Sequence, residues 1–198
     1  EEVVEVGLRL GERATVRLEP GGALGLDLVH LPLDALDGGD PTREVEHRDR
    51  VMMLEAPFTG RAKQVTILEN RFSKIYWGET RNTALVREYD SSRNWYYTWL
   101  VDPDNPDIDD RLLWSHSVNE RYEHPGFPLM RQLPNGKRAM RVHSNSIFLN
   151  GNGSSVEGDR PFLDKLNLVK FERERLFKCD EDSYEAVVAL LSDDGSEY

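Results

Sequence analysis

The chain never runs far without a break. Gly, Pro or Asn-Gly interruptions recur about every ten residues, and no segment between them keeps a convincing 3.6-residue apolar period. The segments alternate apolar and polar side chains instead, as half-buried antiparallel strands do. Ser146 to Phe177 is the best-marked stretch. Ile147, Phe148 and Leu149 stop at Asn150-Gly151; Phe162, Leu163, Leu166 and Leu168 follow, interleaved with Asp164, Lys165 and Asn167; Lys170 to Arg175 is mostly charged and Leu176-Phe177 closes the unit. This reads as strand, Gly-rich connection, strand, tight turn, strand. Phe72 to Trp114 repeats the grammar.

In chain order, strands are expected at Glu2–Leu10, Thr15–Leu18 and Leu24–Leu33, with Pro20-Gly21-Gly22 as a break and Asp34–Asp49 as a long surface loop. Val51–Glu55 and Gln64–Leu68 follow. Phe72–Trp77, Thr83–Tyr89, Trp95–Val101 and Arg111–Trp114 place four strands in about 45 residues, the period of a propeller blade. A further strand opens around Leu129-Met130, Pro134-Asn135-Gly136 is a hairpin signal, and Ala139–His143 continues. Ser183–Leu191 has helical propensity, but after a strand series it reads as the first strand of a following unit. The expected fold class is all-β, four-stranded antiparallel blades of an incomplete β-propeller. Residues 1–70 would hold N-terminal strands of partial blades, and 71–198 about two blades plus the first strand of the next. Closed propellers need about 4–8 blades, so exposed blade faces are expected to seek the rest of a larger protein or to drive self-association.

Charge narrows the partners. The chain has 25 Lys+Arg against 36 Asp+Glu, net −11, which disfavours nucleic acid and anionic membrane surfaces. No apolar run approaches the ~18–20 residues that span a bilayer. Glu1 to Leu10 lacks the basic start of a signal peptide, and with no initiator Met the start reads as trimmed or internal. One cysteine, Cys179, excludes an internal disulfide and a zinc site built on several thiolates. The expected compartment is reducing, hence cytoplasmic.

The blades carry recognisable runs: Ile75-Tyr76-Trp77-Gly78, Ala84-Leu85-Val86, Trp99 to Pro103, Glu123-His124-Pro125-Gly126, Leu149-Asn150-Gly151-Asn152-Gly153, Glu157-Gly158, Arg160 to Asp164, Ser183-Tyr184-Glu185 and Val187 to Leu190. With these, Arg48 to Asp194 resembles part of the propeller domain of the prolyl oligopeptidase family of serine peptidases, in its glutamyl endopeptidase-like branch. The resemblance implies a propeller that sits over an α/β-hydrolase domain and limits access to a Ser-Asp-His triad. This chain has no G-x-S-x-G nucleophile elbow; Gly153-Ser154-Ser155 lacks the second Gly and sits in a β-β connection. The implied role is gating and size selection of peptide substrates, with the chemistry on an α/β-hydrolase domain of the parent. The chain alone is then expected to be inactive. The alternative is a non-enzymatic β-propeller binding or scaffold module.

No catalytic residue and no metal ligand is assigned, and no cofactor is expected. Asp102 to Asp110 is rich in oxygen ligands, but Pro106 and the missing Gly depart from an EF-hand, so a solvated loop is favoured. Gly151 to Gly158 lacks the Lys and Ser/Thr of a phosphate loop. His30, His47, His116, His124 and His143 form no metal-binding spacing. Trp77, Trp95, Tyr96, Tyr97, Trp99 and Trp114 read as filling between blades. Cys179 beside Asp180 and Glu181 is a poor nucleophile. The substrate-binding candidates are Arg111, Arg131, Arg138 and Arg141, since guanidinium pairs bidentately with an acidic side chain; surface salt bridges are the plain alternative.

Overall fold

The structure is a computed structural model that describes residues 16–21, 25–30, 33–55, 58–79, 82–134 and 136–198. It is all-β, with no helix among the described residues. The strands are β1 (Val16–Gly21), β2 (Gly25–His30), β3 (Leu33–Ala35), β4 (Asp49–Glu55), β5 (Lys63–Leu68), β6 (Arg71–Trp77), β7 (Ala84–Asp90), β8 (Trp95–Val101) and β9 (Arg111–Ser117). They continue with β10 (Phe127–Pro128), β11 (Met130–Gln132), β12 (Arg138–Met140), β13 (Val142–His143), β14 (Ser146–Gly151), β15 (Ser154–Ser155), β16 (Gly158–Asp159), β17 (Phe162–Asn167) and β18 (Arg173–Lys178).

Three antiparallel meanders result, each in effect four strands wide. The second is the plainest, β6-β7-β8-β9. In the first, β2 and β3 pair the same side of β4 in the same register, with Val29 opposite Glu55 and Ala35 opposite Asp49, while β1 and β5 flank them. In the third, β10 and β13 both pair one side of β14, which passes to β17 and then β18. The break there is an excursion, the β11–β12 hairpin, with Met130 opposite Met140.

The alternation seen in the sequence becomes the packing of sheets. Ile75, Trp77, Ala84, Val86, Trp99 and Val101 pack against Val51, Met53, Val65 and Leu68 of the first sheet. The intervening Tyr76, Leu85 and Leu100 face the other way, onto Met140, Ile147, Leu149, Leu166 and Leu168 of the third. Phe148, Leu163 and Leu129 lie on the far face of the third sheet, under Val187 and Leu190. Strands β6, β7 and β8 thus each feed two cores, while β9 adds Leu113 and Trp114 to the second alone; this is how blades stack side by side, and the described residues form no closed ring.

Three expectations differ in detail. Leu33–Ala35, placed in or beside a surface loop, is a strand because it continues β2 against β4. Ser183–Leu191, expected as a strand, pairs with no described strand and lies as a strap over the third sheet. Of the expected strand at Leu129-Met130, Met130 opens β11 and Leu129 lies between β10 and β11. The expected strand at Glu2–Leu10 lies outside the described residues.

Candidate functional site: two clefts at opposite ends of the sheets

The first cleft, with a cavity volume of about 430 Å³, opens between the second and third sheets. Arg111, Asp102, Asp109, Thr83, Asn145 and Leu168 are among its walls. Arg111 begins β9 and crosses the gap: Nη2 donates to the Leu168 carbonyl at 2.7 Å, and the guanidinium lies 4.8 Å from the Phe171 ring centroid. Asp102 is turned on its own loop, Oδ1 accepting from the Asp104 and Asn105 amides and Oδ2 from Asn105 Nδ2. This is an Asx-type turn, and residues 104–109 are exposed, so the acidic stretch is a solvated loop. Its last carboxylate, Asp110, accepts from Thr66 Oγ1 of the first sheet. Burial raises the Asp110 pKa, the Thr66 hydroxyl opposes this, and Asp109 adds to it.

The second cleft, about 300 Å³, lies at the opposite end, where the β9–β10 connection meets the β14–β15 connection. His124, Arg121, Phe127, Asn152, Ser154 and Asp159 contribute to it. Two of the glycine-bearing runs meet here. Gly126 has φ +92°, and a Cβ on it would stand 2.8 Å from the Asn150 carbonyl oxygen; Gly153 has φ +59°, and its Cβ would lie 2.0 Å from that of Arg160. Only glycine combines that backbone with that approach. Gly151 to Gly158 therefore forms the connection into the β15–β16 hairpin.

A ring column leads into this cleft. Tyr89, Tyr96, His116, His124 and Phe127 follow at centroid spacings of 5.3, 5.9, 4.8 and 4.7 Å, and the Arg87 guanidinium sits 4.3 Å from the Tyr96 centroid. His124 Nδ1 accepts the Gly126 amide at 3.0 Å, which leaves Nε2–H as the donor of the neutral ring. Burial lowers its pKa, with the positive charges of His116 and Arg87 adding to that and Glu120 opposing it. No motif spacing in the sequence links these histidines. They meet because β9 and the connection after it bring residues eight apart together, a signal that motif spacing does not carry. Among the described residues no group of three or more His, Cys, Asp or Glu is placed to hold a metal.

The four candidate arginines do not share one site. Arg141 is buried and binds the strap, Nη1 donating to the Leu190 carbonyl at 2.8 Å and Nη2 to the Ser192 carbonyl at 3.0 Å and Asp193 Oδ1 at 2.9 Å. Arg131 joins it on Asp193 at 3.1 Å and pairs with Glu79 at 2.6 Å. Arg138 is exposed on β12, and Arg111 spans the first cleft. Trp77 and Trp99 sit in the core between the first and second sheets and Trp114 against the next, whereas Trp95, Tyr96 and Tyr97 stay partly open. Cys179 is buried, its Sγ accepting the Glu185 amide at 3.1 Å.

No family model matches the chain. Over 174 residues, 81% of the chain, it is 34% identical to a probable glutamyl endopeptidase, chloroplastic, of Oryza sativa subsp. japonica. Over 171 residues, 79% of the chain, it is 33% identical to the protein of the same name from Arabidopsis thaliana. The chain spans only 18% and 17% of the length of these two relatives. Among solved structures, an oligogalacturonate lyase in complex with manganese is similar over 77% of this chain and 33% of that one, at 16% identity and a TM-score of 0.38. The chain is thus a β-domain related to proteins named as peptidases, and no helix of the described residues is long and apolar enough to cross a membrane.

Proposed function

We propose that this chain is a non-catalytic propeller segment of a serine peptidase of the prolyl oligopeptidase family, and that it gates and size-selects peptide substrates for an α/β-hydrolase domain elsewhere in the parent protein. The observation that carries the reading is 34% identity over 81% of the chain to a probable glutamyl endopeptidase. Supporting it, the second sheet is apolar on both faces, as an internal blade must be. The proposed compartment is a reducing one, argued from the lone buried thiol; the cytoplasm was the expectation, while the relatives are named as chloroplastic. Of the arginines, Arg138, exposed on β12, is proposed to meet an acidic substrate side chain, Arg111 as a second at the other end of the sheets, and Arg131 and Arg141 as engaged by the strap.

The test uses the chain and the full-length parent side by side. Acetyl-Ala-Ala-Glu p-nitroanilide should be hydrolysed by the parent, and that hydrolysis should stop with a serine-directed phosphonate. The chain alone should give background. Phosphonate-sensitive hydrolysis by the chain alone would overturn the assignment, and a parent that hydrolyses nothing would favour the scaffold alternative.

A further inference from the structure

The first strand of the third sheet is interrupted without being disturbed. Phe127 and Pro128 stand opposite Asn150 and Leu149, and the Leu129 amide donates to the Phe148 carbonyl at 2.8 Å. Val142 and His143 then resume opposite Ile147 and Ser146, the next positions on β14. Residues 130–141 are therefore an insertion that leaves the register of the sheet as it was. The Arg141 amide closes its base on the Leu129 carbonyl at 2.9 Å.

The insertion has two parts of different character. Its base is core: Met140 and Ala139 are buried, and Met140 packs with Tyr76 and Leu85. It also ties this sheet to the second. Gly78 bridges Met140, the Glu79 amide donates to the Met140 carbonyl at 3.1 Å, and Arg131 pairs with Glu79. None of the described residues of the outer part belongs to a core cluster. Gln132, Pro134, Gly136, Lys137 and Arg138 are exposed, and the turn is closed by backbone bonds between Leu133 and Lys137. A fold that needs only the base has no use for this extension.

Its location suggests one. The strand it interrupts and β6 are the first strands of their sheets, and they meet through this hairpin at one edge. Blades of a propeller surround a central channel, and edges that converge are the ones nearest the axis. We infer that the outer part of the β11–β12 hairpin projects into the path of the substrate and is the element that sets which polypeptides pass. This rests on the peptidase reading above, and gives its gating role to one structural element.

The register supplies a clean variant. Arg131 pairs directly with Ala139, so residues 132–138 can be replaced by Asn-Gly, the two-residue turn that suits a right-twisted hairpin. Met130, Arg131, Ala139, Met140 and Arg141 all remain. In the full-length protein the comparison is with Arg138→Ala, which removes the acidic-side-chain contact proposed above and keeps the hairpin: relative to that variant, hydrolysis of acetyl-Ala-Ala-Glu p-nitroanilide should stay within about twofold, while cleavage of β-casein, a long unstructured chain, should rise about tenfold in kcat/KM. An unchanged ratio between the two substrates would overturn the inference while leaving the peptidase reading standing. A wild-type parent that cleaves neither would sink both. Equal loss on both substrates, with the melting temperature kept, would also count against a gate.

Discussion

At the residue scale the buried acids organise the junction of the first two sheets. Glu88 is buried on β7, with Oε1 accepting from Trp99 Nε1 at 2.9 Å and Oε2 from the Asn70 amide at 2.8 Å. Both oxygens are needed as acceptors. Glu88→Gln turns one into an amide donor facing a donor, which costs about 1–3 kcal/mol and should lower the melting temperature by several degrees, read by calorimetry. Asp37 is also buried. Burial alone would raise its pKa, but hydrogen bonds from Arg71, the Gly39 amide and Arg48 hold it below 3.8. Its contribution to stability is present above 3.8 and lost as pH falls through the lowered folded value. His124 acts at higher pH. Its folded pKa lies below 6.5, so the unfolded chain takes the proton first and stability falls as pH drops below 6.5. Urea midpoints from roughly pH 8 to 3 should therefore show two declines. His124→Gln should flatten the upper slope alone and Asp37→Asn the lower alone; a slope untouched by its own variant would refute that assignment.

At the element scale the tightest demands fall on turns. Ser144 and Asn145 join β13 to β14 with φ of 47° and 59°, the two-residue turn in which both residues take the left-handed region. Neither is glycine, so the turn holds strain. Asn145→Gly should stabilise the protein by about 0.5–1 kcal/mol, seen as a higher urea midpoint at unchanged m-value. Gly153→Ala should do the reverse, by more than about 2 kcal/mol, because its Cβ meets backbone. Strand existence was legible because period-2 alternation is local: Tyr76 against Ile75 and Trp77 already names two faces. Breaks within strands were not. Nothing near Leu129 reveals that Val142 is its successor in the ladder, because that is decided by β14 opposite. Likewise His116 and His124 are brought together by a connection, and Arg141 lies far in sequence from the carbonyls it binds. The clefts were thus illegible for the same reason: their walls come from loops on two sheets.

At the scale of the whole molecule the third sheet has a face that, among the described residues, only the strap covers. Val187 and Leu190 rest on Phe148 and Leu163, while Tyr184, Val188 and Leu191 remain 71%, 91% and 76% exposed. With no ladder to hold it, this segment depends on side chains. Arg141 supplies three bonds, Lys165 Nζ donates to the Asp194 carbonyl at 2.9 Å, and the Tyr198 hydroxyl donates to the Leu176 carbonyl at 3.0 Å. Arg141 is the buried member of this set, so it controls whether the strap stays down. Arg141→Met keeps the bulk and removes all three donors. Local opening should then become easier, since few buried contacts oppose it. Trypsin and chymotrypsin cleavage between 178 and 192 should quicken about tenfold. The uncovered Phe148 and Leu163 should also make the average mass by light scattering rise with concentration. Self-association of the wild type through the same face predicts a smaller rise of the same kind. Unchanged cleavage rates in Arg141→Met would mean that the apolar contacts alone hold the strap, and a mass independent of concentration in both proteins would remove the case for an adhesive face.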